Sequence, residues 1–581
     1  MTVHETVLDD NVVLVLGGGP VGMLLANSLA FFGVKCIVLE RNFSTTKWPK
    51  MDLTNARSME LLRKIGLADL VREKGVPSPI PYNVIFSAGL NAKEPLSKWN
   101  LPSVDDCRTA IATDSDGSQP QEPYQRISQA VFEASLRTRC EENPLIDLRY
   151  GWKVEAVKET DTYASAHVTE LKTEQKHVFS ARFIAACDGA SSRARRNLGI
   201  ELDGGPTPVY ATLIHFKSKD LSRLHKHGRF WHYFTVSEGH GLHGAAIAQD
   251  EVDTWTTHLF MPVDQDVEHL TSDEVVATAL GGASGPYPIK IDEVLVRSTY
   301  RPHIAVARTY ASQKKRVFLA GDSAHQNVPT GGYGMNMGIG DAFCLGWQLA
   351  AVVNGHADPG LLESYEQERR PVAVTSVEES GKHLAVHMNV AELLAGKIDD
   401  LVKCTPDTAM LRDQIHEYYQ IHDDENKSLG IEMGYRYQSD YIIPDVCSVP
   451  PTFDHRRYKP STWPGMRAPH VFLKDKSSIF SKFGPMFTLV EFTDGSSRGA
   501  EHIIDAASKH NVPMTHLRLK NEDEAFKVWA EYLVLIRPDQ HVAWRGARVA
   551  CKDDGNLVVR IVSGQSKPRV AWLDRDGGSM Y

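Results

Sequence analysis

Three stretches of this chain have the residue types and spacing to hold a ligand by its phosphates and hydroxyls. The first is VVLVLGGGPVGMLLANSLAFFGVKCIVLER, residues 12–41. Gly17, Gly19 and Gly22 form G-x-G-x-x-G directly after an apolar run, and Pro20 opens the segment that follows. Gly17 permits a tight strand-to-helix turn, Gly19 lets backbone approach a pyrophosphate, and Gly22 lets helix pack closely on strand. The helix start offers free N–H groups to phosphate oxygens. Glu40 closes a second apolar run, where its carboxylate can accept from a ribose 2′-hydroxyl. A carboxylate there disfavours a 2′-phosphate, so the site should hold FAD or NAD rather than NADP.

The second stretch, RFIAACDGASSRARRNLGI, runs from a buried strand into Asp188-Gly189 and then a basic helix start with Arg193. The third is RVFLAGDSAHQNVPTGGYGMNMGIGDAF. Its short strand, 317–320, sets Gly321-Asp322 at the carboxyl end, where an α/β sheet meets ligands, so Asp322 is aimed at a ligand hydroxyl. A glycine-rich loop, 331–340, follows, and the apolar helix after it is expected to begin near Asp341. Backbone N–H groups around Gly334, Met335 and Asn336 suit an electron-rich ring edge. A structural loop capped by Asp341 would explain the helix start, but not glycines interleaved with Pro329 and Asn336.

These clusters need an α/β scaffold. Strand–helix–strand order at the N-terminus predicts a Rossmann-type parallel sheet. A helix is expected from about Thr54, with Met59, Leu62 and Ile65 on one face, and another over 128–141 with Gln129 in its first turn. Arg57 lies in the first turn of the former, poorly placed for the helix dipole. It is either a solvated surface cation or faces a bound phosphate or cofactor, and the second reading is preferred. From 210 to 299 five strand-like runs predict a curved antiparallel sheet carrying His215, Phe230, Trp231, His232, Tyr233 and His258. Such residues are more often core or surface than site, yet some must line the pocket the sheet covers. Strand alternation means His232 and Tyr233 cannot both face it.

With 581 residues the chain should form two or three domains. A net charge of −9 gives no electrostatic footprint for nucleic acid or an anionic membrane. Eight cysteines without a C-x-x-C read as buried thiols of a reducing compartment, neither disulfide framework nor zinc site. Glu5, Asp9 and Asp10 argue against a signal peptide, and Asn27 and Ser28 interrupt any membrane span, so a cytoplasmic chain is expected. The expected boundaries are 1–200 and 301–385 for the dinucleotide domain, 201–300 for the sheet domain (joined by strands near 80–115), 386–455 for a helical connector and 456–581 for a last domain.

In that order, GGGPVG with Glu40-Arg41, then CDGASSRARR, then GDSAHQNVPTGGYGMNMGIGDAFCLGWQLA resemble the three signatures of FAD-dependent aromatic hydroxylases of the para-hydroxybenzoate hydroxylase type. GIEMGYRYQSDYIIPD, PGMRAPH and LIRPDQHVAWR resemble the phenol-hydroxylase branch, which adds a thioredoxin-like C-terminal domain. The resemblance implies that Gly17, Gly19, Gly22, Glu40 and Arg41 hold the ADP half of FAD. It implies that Asp188, Gly189 and Arg193 serve FAD and a passing pyridine nucleotide, and that Gly321 and Asp322 hold the ribityl chain. Pro329, Gly334, Met335 and Asn336 would face the isoalloxazine, while Arg57 and Gln129 match FAD-contacting positions. The family often has two prolines where this chain has Val328-Pro329, so altered loop stiffness is expected. Without a C-x-x-C the last domain cannot do dithiol chemistry; in the family it is structural and often near a homodimer interface.

What the resemblance implies is a monooxygenase. NADPH or NADH reduces FAD, and O2 then gives a flavin C4a-hydroperoxide that hydroxylates a phenolic or polyketide-derived aromatic. The protein must exclude water, orient the ring and deprotonate the phenol. Asp52 aligns with the family's acid beside the substrate hydroxyl and is the first candidate base, an exposed loop acid being the competing reading. His215, His232 and Tyr233 are its rivals. Baeyer–Villiger oxidation or epoxidation on the same fold, and a non-enzymatic flavin sensor or scaffold, are the alternatives. No metal-ligand cluster is evident.

Overall fold

A computed structural model describes residues 3–239, 241–265 and 267–567. The dinucleotide half is built on five parallel strands in the order Val317–Leu319, Ile184–Ala186, Val12–Leu16, Lys35–Glu40, Ile146–Tyr150. The side chains of the three strands Val317–Leu319, Ile184–Ala186 and Val12–Leu16 are almost wholly buried, because helices cover the sheet, while the edge strand Ile146–Tyr150 is largely half-buried. Helix Pro20–Phe31 lies against it, and two of the three motif glycines have a steric reason there. Gly17 has φ +101°, and a Cβ at Gly22 would fall 1.9 Å from the Gly17 carbonyl oxygen.

The glycines of the third stretch behave differently from expectation. The helix starts at Tyr333 and runs to Val353, eight residues before the expected start, so Asp341 is mid-helix and caps nothing. Gly331 and Gly332, at φ +82° and +63°, make the turn into it. Gly338, Gly340 and Gly346 lie within the helix, where neighbours leave no room for a side chain. A Cβ there would meet Val21 at 2.6 Å, the Arg369 guanidinium at 2.7 Å and the Ser28 hydroxyl at 2.4 Å. They are close-packing glycines, not loop glycines.

The sheet domain has seven strands, in the order Glu293–Tyr300, Val209–Lys217, Thr254–Pro262, Gly241–Ala248, His232–Ser237, Val84–Ser87, Ser97–Trp99. It is not wholly antiparallel: His232–Ser237 pairs in parallel with Val84–Ser87. One face, including Tyr233, Ile214 and Trp255, packs on helix Ser272–Gly281. The other, with Phe86, Phe234 and Ala245, packs on helices Glu363–Leu394 and Ala409–Ile421. The expected domain boundary at 385/386 falls inside the first of these helices, which has no break there.

The last domain is a four-stranded sheet, Met514–Lys520, Phe487–Thr493, Leu533–Ile536, Val542–Gly546, with the first pair parallel and the rest antiparallel. Helices Ala500–Lys509, Asp523–Trp529 and Lys552–Val562 belong to it. Among the described residues no helix is long and apolar enough to cross a membrane.

Candidate functional site

The N-terminal cradle has the shape of a dinucleotide site. Glu40 accepts from the Gly18 and Asn42 backbone N–H groups, both at 2.8 Å, and so fixes the turn above its strand. Helix Pro20–Phe31 has no side chain capping its first turn, and Pro20 occupies a position where a missing N–H costs nothing. A Cβ added to Gly19 would touch nothing within 4 Å, nor would one at Gly189. No protein atom fills the space above either residue. Arg41, next in the chain after Glu40, is exposed.

Asp188 uses one carboxylate oxygen to accept from the Arg193 and Ala194 N–H groups, at 2.7 and 3.1 Å. The other oxygen is buried and finds no partner among the described residues. Gly321, at φ +63°, donates its N–H to Asp341 at 3.1 Å and turns the chain so that the Asp322 carboxylate stands exposed. The open space over Gly19, the orphaned Asp188 oxygen and the free Asp322 carboxylate together fit a dinucleotide carrying phosphates and hydroxyls.

Three residues expected to contact the cofactor also have partners within the protein. Arg57 is buried, but its guanidinium bonds Glu60 at 3.2 Å, Gln540 at 2.5 Å and the Asp539 carbonyl, which ties the flavin half to the last domain. Arg193 is half-exposed and pairs with Glu155 on a neighbouring strand. Gln129 is buried, and its amide nitrogen bonds Glu133 at 2.6 Å.

The segment after Pro329 is held from several sides. Thr330 donates to the Ser380 carbonyl at 2.7 Å, the Gly331 N–H donates to Glu425 at 3.1 Å, and the Tyr333 hydroxyl meets His383 at 2.9 Å. Glu425 in turn pairs with His387 at 2.6 Å; burial opposes its charge, but His387, His383 and His232 outweigh that and hold its carboxyl down to about 2. Gly334, Met335 and Asn336 occupy the first turn of helix Tyr333–Val353, which no side chain caps. Asn336 accepts from the Asn55 N–H at 2.9 Å and donates to the Leu53 and Gly332 carbonyls. Asp341, near the expected helix start, is a buried hub for Arg369 (2.7 Å) and His325 (2.8 Å).

Asn336 also brings the strand Leu53–Thr54, and Asp52 just before it, against the sheet domain. One Asp52 carboxylate oxygen accepts from the Trp231 indole at 2.5 Å and faces His232 Nε2 at 3.4 Å. Burial alone would push this carboxyl up, but His232, then Arg126 and Trp231, bring it below the ordinary range. His232 Nδ1 is buried without a partner among the described residues. On the same face of the sheet His258 is held neutral by burial, its pKa pushed down to about 4.

Tyr233 is a correction. It is fully buried on the opposite face, against helix Ser272–Gly281, where its hydroxyl meets His227 at 2.8 Å and burial pushes its pKa up. His215 lies on the strand three places from His232 across the sheet, roughly 14 Å away at ordinary strand spacing. Its Nδ1 is occupied by the Trp255 carbonyl at 3.0 Å and Thr256 at 3.2 Å. Sequence reasoning missed the Trp231 clamp and the Glu425–His387 pair, because no local spacing joins them. Cys344, Glu368 and Asp539 converge closely enough for a metal, but Arg537 bonds both carboxylates at 2.7 Å.

Residues 10–380 match the FAD binding domain family, and 461–564 match the aromatic-ring hydroxylase C-terminal domain. The chain is 47% identical over 567 residues to the FAD-dependent monooxygenase apdD of Emericella nidulans, covering 96% of this chain and 91% of that one. It is 46% identical over 522 residues to the FAD-dependent monooxygenase opdD of Penicillium oxalicum, covering 88% and 99%. The flavin-dependent monooxygenase PieE, solved with FAD and substrate, superposes with a TM-score of 0.85 at 26% identity over 95% of this chain and 99% of that one. The chain therefore belongs to the FAD-dependent monooxygenases that join this flavin domain to an aromatic-ring hydroxylase C-terminal domain.

Proposed function

We propose that this monooxygenase adds oxygen to a phenolic or polyketide-derived aromatic ring, and that His232 takes the ring hydroxyl's proton while Asp52 orients His232. Bound FAD, reduced by NADPH or NADH, supplies the oxygen-activating chemistry. The chain's own task is to hold the ring between the His232 face of the sheet and the turn at Pro329–Asn336, and to ionise it. The observation that carries this assignment is the unpartnered His232 Nδ1. A carboxylate facing Nε2 favours the proton there, which leaves Nδ1 as the proton acceptor. Asp52 is a poorer base, since its carboxyl is held below the ordinary range and its near oxygen already accepts from Trp231. It is the positioning residue.

Gly19, Glu40, Asp188 and Asp322 would hold the dinucleotide. A homodimer, a cytoplasmic location and a thioredoxin-like last domain are readings of the family resemblance. The test compares His232→Gln with Asp52→Asn in FAD-loaded enzyme given phenolic candidates. Both should keep FAD and still oxidise NAD(P)H, while product formed per NAD(P)H falls and hydrogen peroxide rises. His232→Gln should slow oxygen transfer by roughly 10²–10⁴-fold, the usual cost of losing a general base. A product ratio equal to wild type in His232→Gln across pH 6–9 would remove His232 as the base.

A further inference from the structure

A cleft of about 280 Å³ opens on the side of helix Glu363–Leu394 where residues 434–438 and 450–459 pack. It lies apart from the dinucleotide cradle and shares none of its glycines. Three cations line it, Arg436, Arg457 and Lys459, and none forms an ion pair among the described residues. Lys459 donates only to the Thr452 carbonyl, at 3.1 Å. Arg436 is partly buried, and burial pushes its pKa down. The one acid in the lining, Asp454, is turned onto the Arg456 and Arg457 backbone N–H groups at 2.9 and 3.2 Å. Between the cations stand flat apolar surfaces, Tyr435 and Phe453, the latter 48% exposed.

Behind the cleft is a second space of about 30 Å³, sharing Val372, Ser376, Ile431 and Tyr435 as a common wall. It holds two buried orphan atoms of complementary kind, the Arg57 Nε donor and the Glu432 Oε2 acceptor. A space of that size takes one or two waters, which would satisfy both. Its far side is formed by Asn55, Asn336 and Met337, the base of the ring-facing turn. The cleft is thus backed by a polar chamber that reaches the flavin half.

We propose that this cleft is a second ligand site, for a planar aromatic anion that stacks on Tyr435 and Phe453 and is held by Arg436, Arg457 and Lys459. The Arg456 and Arg457 N–H groups, and then nearby Lys459, lower the Asp454 carboxyl, and the Arg436 guanidinium faces the Gln438 amide. The cleft thus carries a net positive charge held by no ion pair among the described residues, and guanidinium groups beside aromatic rings favour flat, negatively charged partners. Two sources share this chemistry. One is the adenine–phosphate end of the nucleotide reductant, which rests on the NAD(P)H reading above; the other is a small aromatic carboxylate acting on the enzyme from outside its catalytic cleft.

The experiment is calorimetric titration of FAD-loaded enzyme with adenosine 2′,5′-bisphosphate and, separately, with salicylate. Wild type should bind at least one probe with one-to-one stoichiometry. Arg457→Ala/Lys459→Ala should weaken that binding tenfold or more with FAD content unchanged, as both side chains are exposed. Loss of bisphosphate binding with a raised KM for NADPH and an unchanged kcat identifies the reductant. Loss of salicylate binding alone, with the NADPH KM unmoved, identifies the aromatic acid. No binding of either probe to wild type, or equal binding to the double variant, overturns the proposal. These readouts are independent of His232, so failure here leaves the catalytic assignment standing.

Discussion

The joint between the flavin half and the last domain is built from buried charge pairs, with Arg57 Nε and the His541 ring left without partners among the described residues, whereas the flavin cleft leaves carboxylate oxygens open. At the joint, fully buried Glu60 accepts from Arg467 at 2.8 Å, Arg57 at 3.2 Å and the Gln121 N–H at 2.7 Å. Arg537 grips Glu368 through both nitrogens at 2.7 Å and also bonds Asp539. In the cleft, Asp188 Oδ1 and His232 Nδ1 are buried without partners, and the Asp322 carboxylate is open. A buried polar atom without a partner costs about 1–3 kcal/mol, so folding alone gives no reason to leave one. Carboxylates at the joint are paired and act as scaffold. Open polarity in the cleft is reserved for a ligand.

The largest effect that separates the two regions should come from Glu60→Gln. It leaves Arg467 and Arg57 buried with their charge uncompensated, and breaking a buried pair in this way costs about 3–5 kcal/mol. Glu60 lies in the scaffold region, so FAD affinity should change little while the thermal midpoint falls by several degrees. A midpoint equal to wild type would show the joint to be neutral. Glu425→Gln sits between the regions, since Glu425 links His387 to the Gly331 N–H. Its carboxyl is depressed to about 2, below its unfolded range near 4.5. The stability it provides is therefore fully present above about pH 4.5 and is lost as pH falls toward 2. Wild type should lose stability more steeply than Glu425→Gln across that window, and parallel pH curves would contradict the anchor.

A smaller effect is expected from Asp322→Ala. The hydrogen bond of a charged acceptor is worth about 1.5–3 kcal/mol, so FAD should bind roughly 10- to 100-fold more weakly. Because Asp322 is exposed and its carboxylate unpaired, the FAD-free protein should unfold at the wild-type midpoint. Unchanged FAD affinity would remove Asp322 from the cradle.

The same contrast explains what the sequence could reveal. Gly17, Gly22 and Glu40 act within one strand–turn–helix–strand unit, so their spacing carries the geometry. The start of helix Tyr333–Val353 was hidden because glycine normally signals a loop. Gly338 and Gly340 are glycines because Val21 and Arg369, far away in sequence, leave no room for a side chain on the helix. Glu60 and Arg467 are 407 positions apart, and nothing local announces their pairing. The place of Arg57 in its motif points to the cofactor, and nothing local announces its further partners Gln540 and Asp539 in another domain. Residue type alone makes Asp52 and His232 candidates, but only the fold shows that they meet and that His232 Nδ1 has no partner among the described residues.

Arg193 gives the finest test of the contrast, because it stands at the edge of the cleft yet is paired. Its guanidinium bonds Glu155, and both side chains are about one-third exposed. Pairs at that exposure contribute about 0–1 kcal/mol, since water and salt screen them. Burial alone would raise the Glu155 carboxyl, but Lys153 and Arg193 bring it below its ordinary value. Whatever stability this adds is present above the unfolded carboxylate pKa and fades as pH falls through the lowered one. If Arg193 is scaffold, Arg193→Ala should lower the thermal midpoint by a degree or two at neutral pH and leave reduction by NAD(P)H unchanged. If it also serves the passing nucleotide, as the motif implies, flavin reduction should slow while FAD content stays constant. Stopped-flow bleaching of the flavin under anaerobic conditions reads that rate directly. A slowed rate would show that a paired, half-exposed arginine can leave Glu155 for a ligand, and would move the border between scaffold and site to include it.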